Sequence, residues 1–421
     1  MPEFLSEYIR ELQSKAERIR VDFAPKLEEL KKTFEKYWVN FTPINCKPDF
    51  NVLAVDSSAA KLVTSNGGIF YIVRGLGLSK NDKYRRVFAD FEYSPESTYF
   101  ISNIISRMME WIEHLIIIEA VENGFDGFIL IDGSIYGRMA HIPMEIRFSN
   151  RSGFLLDYFE TLTNMLSICR KHKIPLIGIS KESRTSFFRE FLIKEILINV
   201  EGLDKYFKQR LLFLALDNRR KAVEEAEKTG NSKIIELINE LVKRKPDFQL
   251  ILSCAKSSGY TSPLLLGASQ RWRREYKRIA ERTEEFVISR FPMLSRNEDF
   301  LKKAVKVARN ILDFPAIVSF HLLPAIQDTP MRIDVPAWYF GIEKRLWEVG
   351  WPEPVDIDLD EILRLISAGY CGLDNYNIWL TAVDSEVKLS REVFENLYLP
   401  KFEDIVGRLS TPRGYRRVRY P

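Results

Sequence analysis

Cysteine and histidine are both scarce, at four of each in 421 residues. Cys46, Cys169, Cys254 and Cys371 are scattered and form no CxxC pair; His114, His141, His172 and His321 form no HExxH or HxxxH pair. These absences argue against a zinc site and against a disulfide framework. A metal bound by such a chain must be held mostly by carboxylates, which points to Mg²⁺ or Mn²⁺. Long apolar runs are missing too, since stretches such as 115–118 and 128–131 are far too short to cross a bilayer. The N-terminus MPEFLSEYIREL is charged and has no apolar signal core. The expectation is a protein with no membrane contact, working in the cytoplasm. There is no GxxxxGK[ST] loop, so ATP hydrolysis by this chain is not expected, and GLGLSK (75–80) has neither Walker spacing nor a helix start behind it.

What is present is an ordinary globular composition, 46% hydrophobic, with 62 basic against 58 acidic residues and a net charge of +4. That balance is too mild to indicate a nucleic-acid partner by itself, so clustering has to carry the argument. Arg271, Arg273, Arg274, Lys277 and Arg278 form a block around Trp272 and Tyr276, and the tail GYRRVRYP adds Arg416, Arg417 and Arg419 between tyrosines. Basic residues interleaved with aromatics suit a phosphate backbone with stacked bases, and Arg271, Arg273, Arg274 and Lys277 are the candidate DNA contacts. A solvated helix face and a plain tail explain the same residues.

The order of elements carries the fold reading. Residues 3–38 place Leu5, Ile9, Leu12, Ala16, Ile19, Leu27, Leu30 and Phe34 at helical spacing, which predicts one or two amphipathic helices broken near Pro25. Residues 50–58, 67–78 and 84–93 read as three strands in succession, the first ending at a polar Asp-Ser-Ser turn. Ser94-Pro95-Glu96-Ser97 gives helix-start chemistry, and the following helix should run to about Glu122 and stop at Asn123-Gly124. A strand over 125–134, a helix near 151–171 and a strand over 174–180 follow. Three strands without helices predict an antiparallel meander, and the later helical crossovers predict parallel strands. This is the ribonuclease-H-like pattern: an α/β mixed sheet with flanking helices and a helical insertion. The chain divides into N-terminal amphipathic helices (1–45), a first part of the core (46–184), a helical insertion (185–310), a second part (311–395) and a C-terminal helix with basic tail (396–421). In the second part, 316–323 and 331–340 have strand character, and helices are expected near 358–368 and 391–408.

Asp56 and Asp132 each end a strongly apolar strand candidate and precede small polar residues. A carboxylate at a strand end is exposed at the sheet rim while its backbone is fixed, and two on adjacent strands can bind hard cations. Two such ions about 3.5–4 Å apart activate a water and stabilise the leaving oxygen of a phosphodiester. Each aspartate alone is also ordinary turn chemistry. A third carboxylate is expected from the intervening helix, where Glu110 and Glu113 share a face. Glu113 sits in the apolar stretch WIEHLIII, where a buried charge needs compensation that a metal would give; Glu113 is the choice and Glu110 the reserve. Lys181 follows a strand end and could stabilise phosphate charge or be a solvated turn residue. His321, inside SFHLL, reads as a core histidine.

Six stretches in order resemble the NurA nuclease family: AVDSS (54–58), the helix with EHLIIIEAVENG, FILIDGS (128–134), IGISKESR (177–184), PMRIDVP (330–336) and GLDNYNIWLTAVDSEVKLSRE (372–392). In the last, Tyr376, Leu380 and Asp384 keep the family spacing, while Asn377 and Asp384 stand where the family often has Pro and His. The 185–310 stretch has little to match. The resemblance implies exonuclease and single-strand endonuclease action on DNA, Mn²⁺ or Mg²⁺ (two ions), a homodimer, and a HerA-type hexameric ATPase partner in double-strand-break end resection. It also implies Asp56, Glu113, Asp132 and Asp384 as metal ligands and Tyr376 as the residue that orients water or phosphate; a histidine's role in proton transfer would not pass to Asp384. Two rival readings stay open: another ribonuclease-H-like nuclease, or a non-catalytic DNA-binding subunit.

Overall fold

A computed structural model of the chain describes residues 2–23, 28–43, 49–407 and 409. Its strands are β1 (Trp38–Asn40), β2 (Val52–Val63), β3 (Gly68–Leu78), β4 (Lys83–Tyr93), β5 (Phe128–Asp132), β6 (Leu176–Lys181), β7 (Gly259–Thr261), β8 (Leu264–Leu266), β9 (Ile317–Leu323), β10 (Met331–Pro336) and β11 (Glu353–Pro354). Among the described residues they form one sheet in the order β1-β7-β9-β10-β6-β5-β2-β3-β4, with β8 paired to β9 and β11. The expected meander is there: β2, β3 and β4 are antiparallel neighbours, while β5 lies parallel to β2 and β6 parallel to β5. β10 and β9 extend the sheet antiparallel beyond β6, so the two stretches assigned to the core do join.

Several boundaries differ from the sequence reading. β2 does not stop at Asp56; it runs to Val63, because β3 keeps pairing with it from Asp56↔Leu76 to Val63↔Ile69 after β5 has ended. Asp56 therefore sits where a strand loses its neighbour on one side only. The 185–310 stretch is helical, yet it also supplies β7 and β8, which are only three residues each and show no period to read. β7 in turn pairs with β1, so the N-terminal segment adds a strand as well as helices. The strand expected over 331–340 ends at Pro336, and the helix expected over 391–408 is a turn, a π-helical stretch (Phe394–Tyr398) and the helix Leu399–Val406. The basic tail with Arg416, Arg417 and Arg419 lies outside the described residues.

Each face of the sheet carries its own core, and side-chain alternation decides which residue goes where. Leu53, Val55, Ile129 and Ile131 pack on the first face with Met108, Ile112 and Ile116 of the helix Thr98–Glu122. Val52, Ala54, Leu130, Ile177 and Ile333 pack on the second with Ile362, Ile366, Leu380 and Val383 of the helices Asp360–Gly369 and Ile378–Val387. Each of these side chains larger than Ala54 contributes about 1.5–3 kcal/mol by leaving water. The glycines of GLGLSK serve this packing: a Cβ on Gly75 would stand 2.2 Å from Ile112, and one on Gly77 2.6 Å from Ile116. The Thr98–Glu122 helix begins and ends where the caps predict, with Ser97 accepting from the Phe100 amide and Gly124 at φ 93° just beyond.

Candidate functional site

The parallel register aligns Val52 to Val55 with Phe128 to Ile131, so one further step sets Asp56 beside Asp132. Alternation sends both carboxylates to the second face, where the helix Ile378–Val387 lies. Lys181, one residue beyond Ser180 on β6, faces the same way: its Nζ is 2.9 Å from Asp132 Oδ2 and 4.2 Å from the centre of the Tyr376 ring. The Tyr376 hydroxyl donates to Asp132 Oδ2 at 3.1 Å. Asp384 lies on that helix within electrostatic reach and opposes ionisation of both Asp56 and Tyr376. Burial, then Asp132, push the Tyr376 phenol well above its usual range, so it stays a proton donor.

The helix carrying Asp384 is tied at both ends. Asn377, fully buried, caps its start by accepting from the Leu380 amide at 3.1 Å. At its end, Arg74 donates from Nε to the Val387 carbonyl at 2.6 Å and from Nη2 to the Lys388 carbonyl at 2.5 Å, and Ser58 accepts from the Leu389 amide at 2.9 Å. Alternate residues of AVDSS thus divide the work on this face: Asp56 enters the carboxylate group, and Ser58 fastens the element opposite.

Glu113 is on the other face. It accepts from the hydroxyl of Ser57 and pairs with Arg138, and all three are buried. The charge compensation that sequence reasoning assigned to a metal is supplied there by an arginine from the short helix Ile135–Met139. Burial raises the Glu113 carboxyl, while Arg138 and Ser57 oppose the rise. Glu110 is held by Arg107 at 2.6 Å and by the Tyr158 hydroxyl at 2.5 Å; burial would raise it, but Arg138 and Arg107 bring it below the usual range.

Asp56 has the most telling electrostatics. Burial pushes its carboxyl up to about 7, Glu113 adds to this, the Ser57 amide at 2.8 Å opposes it, and Asp132 and Asp384 raise it further. Several carboxylates therefore crowd one partly closed rim. Among the described residues, no three His, Cys, Asp or Glu side chains stand close enough together to hold a metal ion as they are placed. Asp56 and Asp132 are neighbours in register, and Lys181 stands against Asp132.

Other expectations fall elsewhere. Arg271, Arg274 and Lys277 are exposed on the helix Gln270–Glu281, but Arg273 is turned inward to the Trp347 carbonyl at 3.1 Å, and Tyr276 is 3% exposed, so it belongs to the core and cannot stack a base. Arg274 and Lys277 face Asp217 and Glu281 at 3.3 and 3.7 Å. This helix follows β8, whose Leu266 pairs with Ile317, while Asp132 is level with Phe320 in the middle of β9 through Ile179 and Ile333, so the helix and the carboxylates are separated mainly across the sheet, by β9, β10 and β6. His321 lies in the core, and burial with the nearby Arg332 lowers its imidazole to about 3. Sequence reasoning missed Ser57, Ser134, Arg138 and the pair Arg332–Asp334. The last had a legible signal: two opposite charges at i and i+2 within an apolar strand.

These features define an α/β protein with a carboxylate-lined rim on a mixed sheet, flanked by a lysine and a tyrosine. The chain belongs to the NurA family, whose domain matches residues 50–417. Among solved structures, the NurA nuclease from Sulfolobus solfataricus matches with a TM-score of 0.52 at 13% identity, covering 96% of this chain and 99% of that one. A crystal structure of NurA matches at 0.45 and 12%, covering 97% and 98%, and one of NurA bound to dAMP and manganese at 0.43 and 13%, covering 97% and 98%. At these identities the first likeness concerns the fold. No curated protein matches the chain. Among the described residues no helix is long and apolar enough to cross a membrane.

Proposed function

We propose that this chain is a Mn²⁺- or Mg²⁺-dependent deoxyribonuclease that hydrolyses phosphodiesters at the rim formed by Asp56 and Asp132. The observation that carries the reading is the crowding of Asp56, whose carboxyl is lifted to about 7 by burial and by Glu113, Asp132 and Asp384. Such a cluster is expensive to ionise alone and is relieved by a hard divalent cation with oxygen ligands. The donor set fits that cation and suits zinc poorly, since no thiolate or imidazole joins it. Asp56 and Asp132 would hold the ions, and Asp384 would complete the set directly or through water, while Glu113, paired with Arg138, would lie behind the sheet. When bound, a pair of such ions lowers the pKa of an attacking water and neutralises the phosphate oxygens.

The protein's own groups do the rest. The Tyr376 hydroxyl, fixed on Asp132, orients water or the scissile phosphate. Lys181, half exposed beside Asp132, would stabilise phosphate charge. The strand order β4-β3-β2-β5-β6 supports a ribonuclease-H-like core. Family membership supports the rest of the reading: exonuclease and single-strand endonuclease action in end resection, inside the cell, as a homodimer beside a HerA-type hexameric ATPase. The N-terminal helix presents Phe4, Leu5, Tyr8, Ile9 and Leu12 to solvent, which suits a protein partner. Exposed Arg271, Arg274 and Lys277 would contact DNA away from the chemistry.

The test is cleavage of labelled duplex and single-stranded DNA with Mn²⁺ by wild type and Asp56→Asn. Near-complete loss in the variant is expected. Equal cleavage by both would remove the enzyme reading and leave a DNA-binding subunit. A panel with RNA and junction substrates separates DNA-end processing from another ribonuclease-H-like activity.

A further inference from the structure

A buried ion pair stands directly behind the turn that presents Asp132. Arg332 and Asp334 lie two apart on β10, so both project to the first face; they are 1% and 0% exposed. Arg332 Nε and Nη2 reach Asp334 Oδ1 and Oδ2 at 2.9 and 2.7 Å, a forked contact between planar groups. The pair then grips the Asp132-Gly133-Ser134 turn. Asp334 Oδ2 accepts from the Ser134 hydroxyl at 2.7 Å and from the Tyr136 amide at 3.2 Å, and Arg332 Nη2 donates to Ser134 Oγ at 3.0 Å. Ser319 closes the far side, donating to Asp334 Oδ1 at 2.8 Å and accepting from Arg332 Nε at 3.1 Å.

The gripped segment has little freedom left. Gly133 takes φ 119° and donates to the Ile179 carbonyl at 2.8 Å, and a Cβ on Gly178 would stand 2.6 Å from the Gly133 oxygen. Ser134 accepts from the Gly137 amide at 2.8 Å and so caps the helix Ile135–Met139. That helix carries Arg138, the partner of Glu113. One clamp therefore governs two carboxylates: Asp132 ahead of the turn, and Glu113 through Arg138 behind it.

We propose that Arg332 and Asp334 form a positioning dyad that locks the Asp132–Ser134 turn and the Arg138 helix, and so sets the spacing of carboxylates on the two faces of the sheet. The proposal rests on the metal-dependent nuclease reading. A buried pair is a weak source of stability, because an apolar pair of similar size is often as stable. Its value lies in holding ligands in place, as groups behind a metal site do.

The test uses the full chain with Arg332→Met/Asp334→Leu and, separately, Ser134→Ala. Mn²⁺ affinity is read by calorimetry, cleavage by kcat and KM, and protection of the Tyr136 and Gly137 amides by hydrogen exchange. The double variant is expected to melt near the wild type, to bind Mn²⁺ about 10–100-fold more weakly, to lose kcat with little change in KM for DNA, and to exchange those amides faster. If it fails to fold, Ser134→Ala, which removes the hydroxyl link between dyad and turn together with the cap on the Gly137 amide, is expected to show the same pattern more weakly, read at the Tyr136 amide that Asp334 still holds. Wild-type metal affinity, kcat and amide protection in a folded variant would overturn the dyad. A wild type that binds no Mn²⁺ and cleaves nothing overturns the nuclease reading instead; the exchange arm still decides whether the dyad locks the turn.

Discussion

Lys181 Nζ lies 2.9 Å from Asp132 Oδ2, and the same ammonium stands over the Tyr376 ring. A cation held by Asp132, as proposed, would compete with Lys181 for that carboxylate. Replacing Lys181 by Met removes a positive charge beside the ligands, so Mn²⁺ should bind a few-fold more tightly. The same change removes a group that can stabilise phosphate charge, so kcat should fall about 10–100-fold. Calorimetry and single-turnover cleavage on one preparation check both directions, and weaker metal binding in the variant would contradict the assignment.

Asp56 predicts the pH response. Its carboxyl is raised to about 7 in the fold, above the ordinary 3.8, so the stability it contributes is fully present below the ordinary value and is lost as pH rises through 7. A divalent cation binds the ionised form. Metal affinity should then weaken as pH falls below 7, with close to one proton released from Asp56 per binding event near pH 6. Without metal, Asp56→Asn should be more stable than wild type at pH 8, on the order of 2 kcal/mol after allowance for solvent access, and the gap should shrink by more than half at pH 5 and close only below the ordinary 3.8. Denaturant unfolding at the two pH values measures this.

Tyr376 gives a narrower expectation. Its hydroxyl donates to Asp132 and its ring supports Lys181. Phenylalanine keeps the ring and loses the donor. The variant should fold normally and keep its DNA affinity, while kcat drops about 10-fold or more. An unchanged kcat would assign Tyr376 to packing alone.

Much of this was open to reading in the chain itself, because strand alternation and capping are local. The meander, the crossover helix from Ser97 to Gly124 and the β2/β5 aspartates follow from residue pattern. What was hidden depends on tertiary neighbours. That Asp56 lies inside a strand reflects pairing with β3 beyond the end of β5. That Glu113 is neutralised by Arg138 depends on a helix of five residues, too short for a period. Tyr276 looked like a stacking platform within a basic block, but its helix turns that position into the core. Among the missed groups, Arg332 and Asp334 alone announced themselves, as charges inside an apolar strand.

The basic helix predicts an effect on binding without an effect on chemistry. Arg271, Arg274 and Lys277 are exposed, and their helix follows β8, which β9, β10 and β6 separate from the carboxylate-bearing β5 and β2. Changing all three to Ala should reduce the slope of log K against log salt by roughly 2–3 for duplex DNA, with single-turnover cleavage at saturation unchanged. An unaltered slope would mean that these side chains do no more than solvate their helix.

The most direct measurement is anomalous diffraction from crystals of the full chain soaked in Mn²⁺. A manganese peak is expected bounded by Asp56 and Asp132, with Asp384 on the same side and Lys181 displaced from Asp132, and no such peak in Asp56→Asn. A chain that cleaves DNA with Mn²⁺ yet shows the metal elsewhere, or shows Asp56 and Asp132 on either side of an unchanged Lys181, would contradict it.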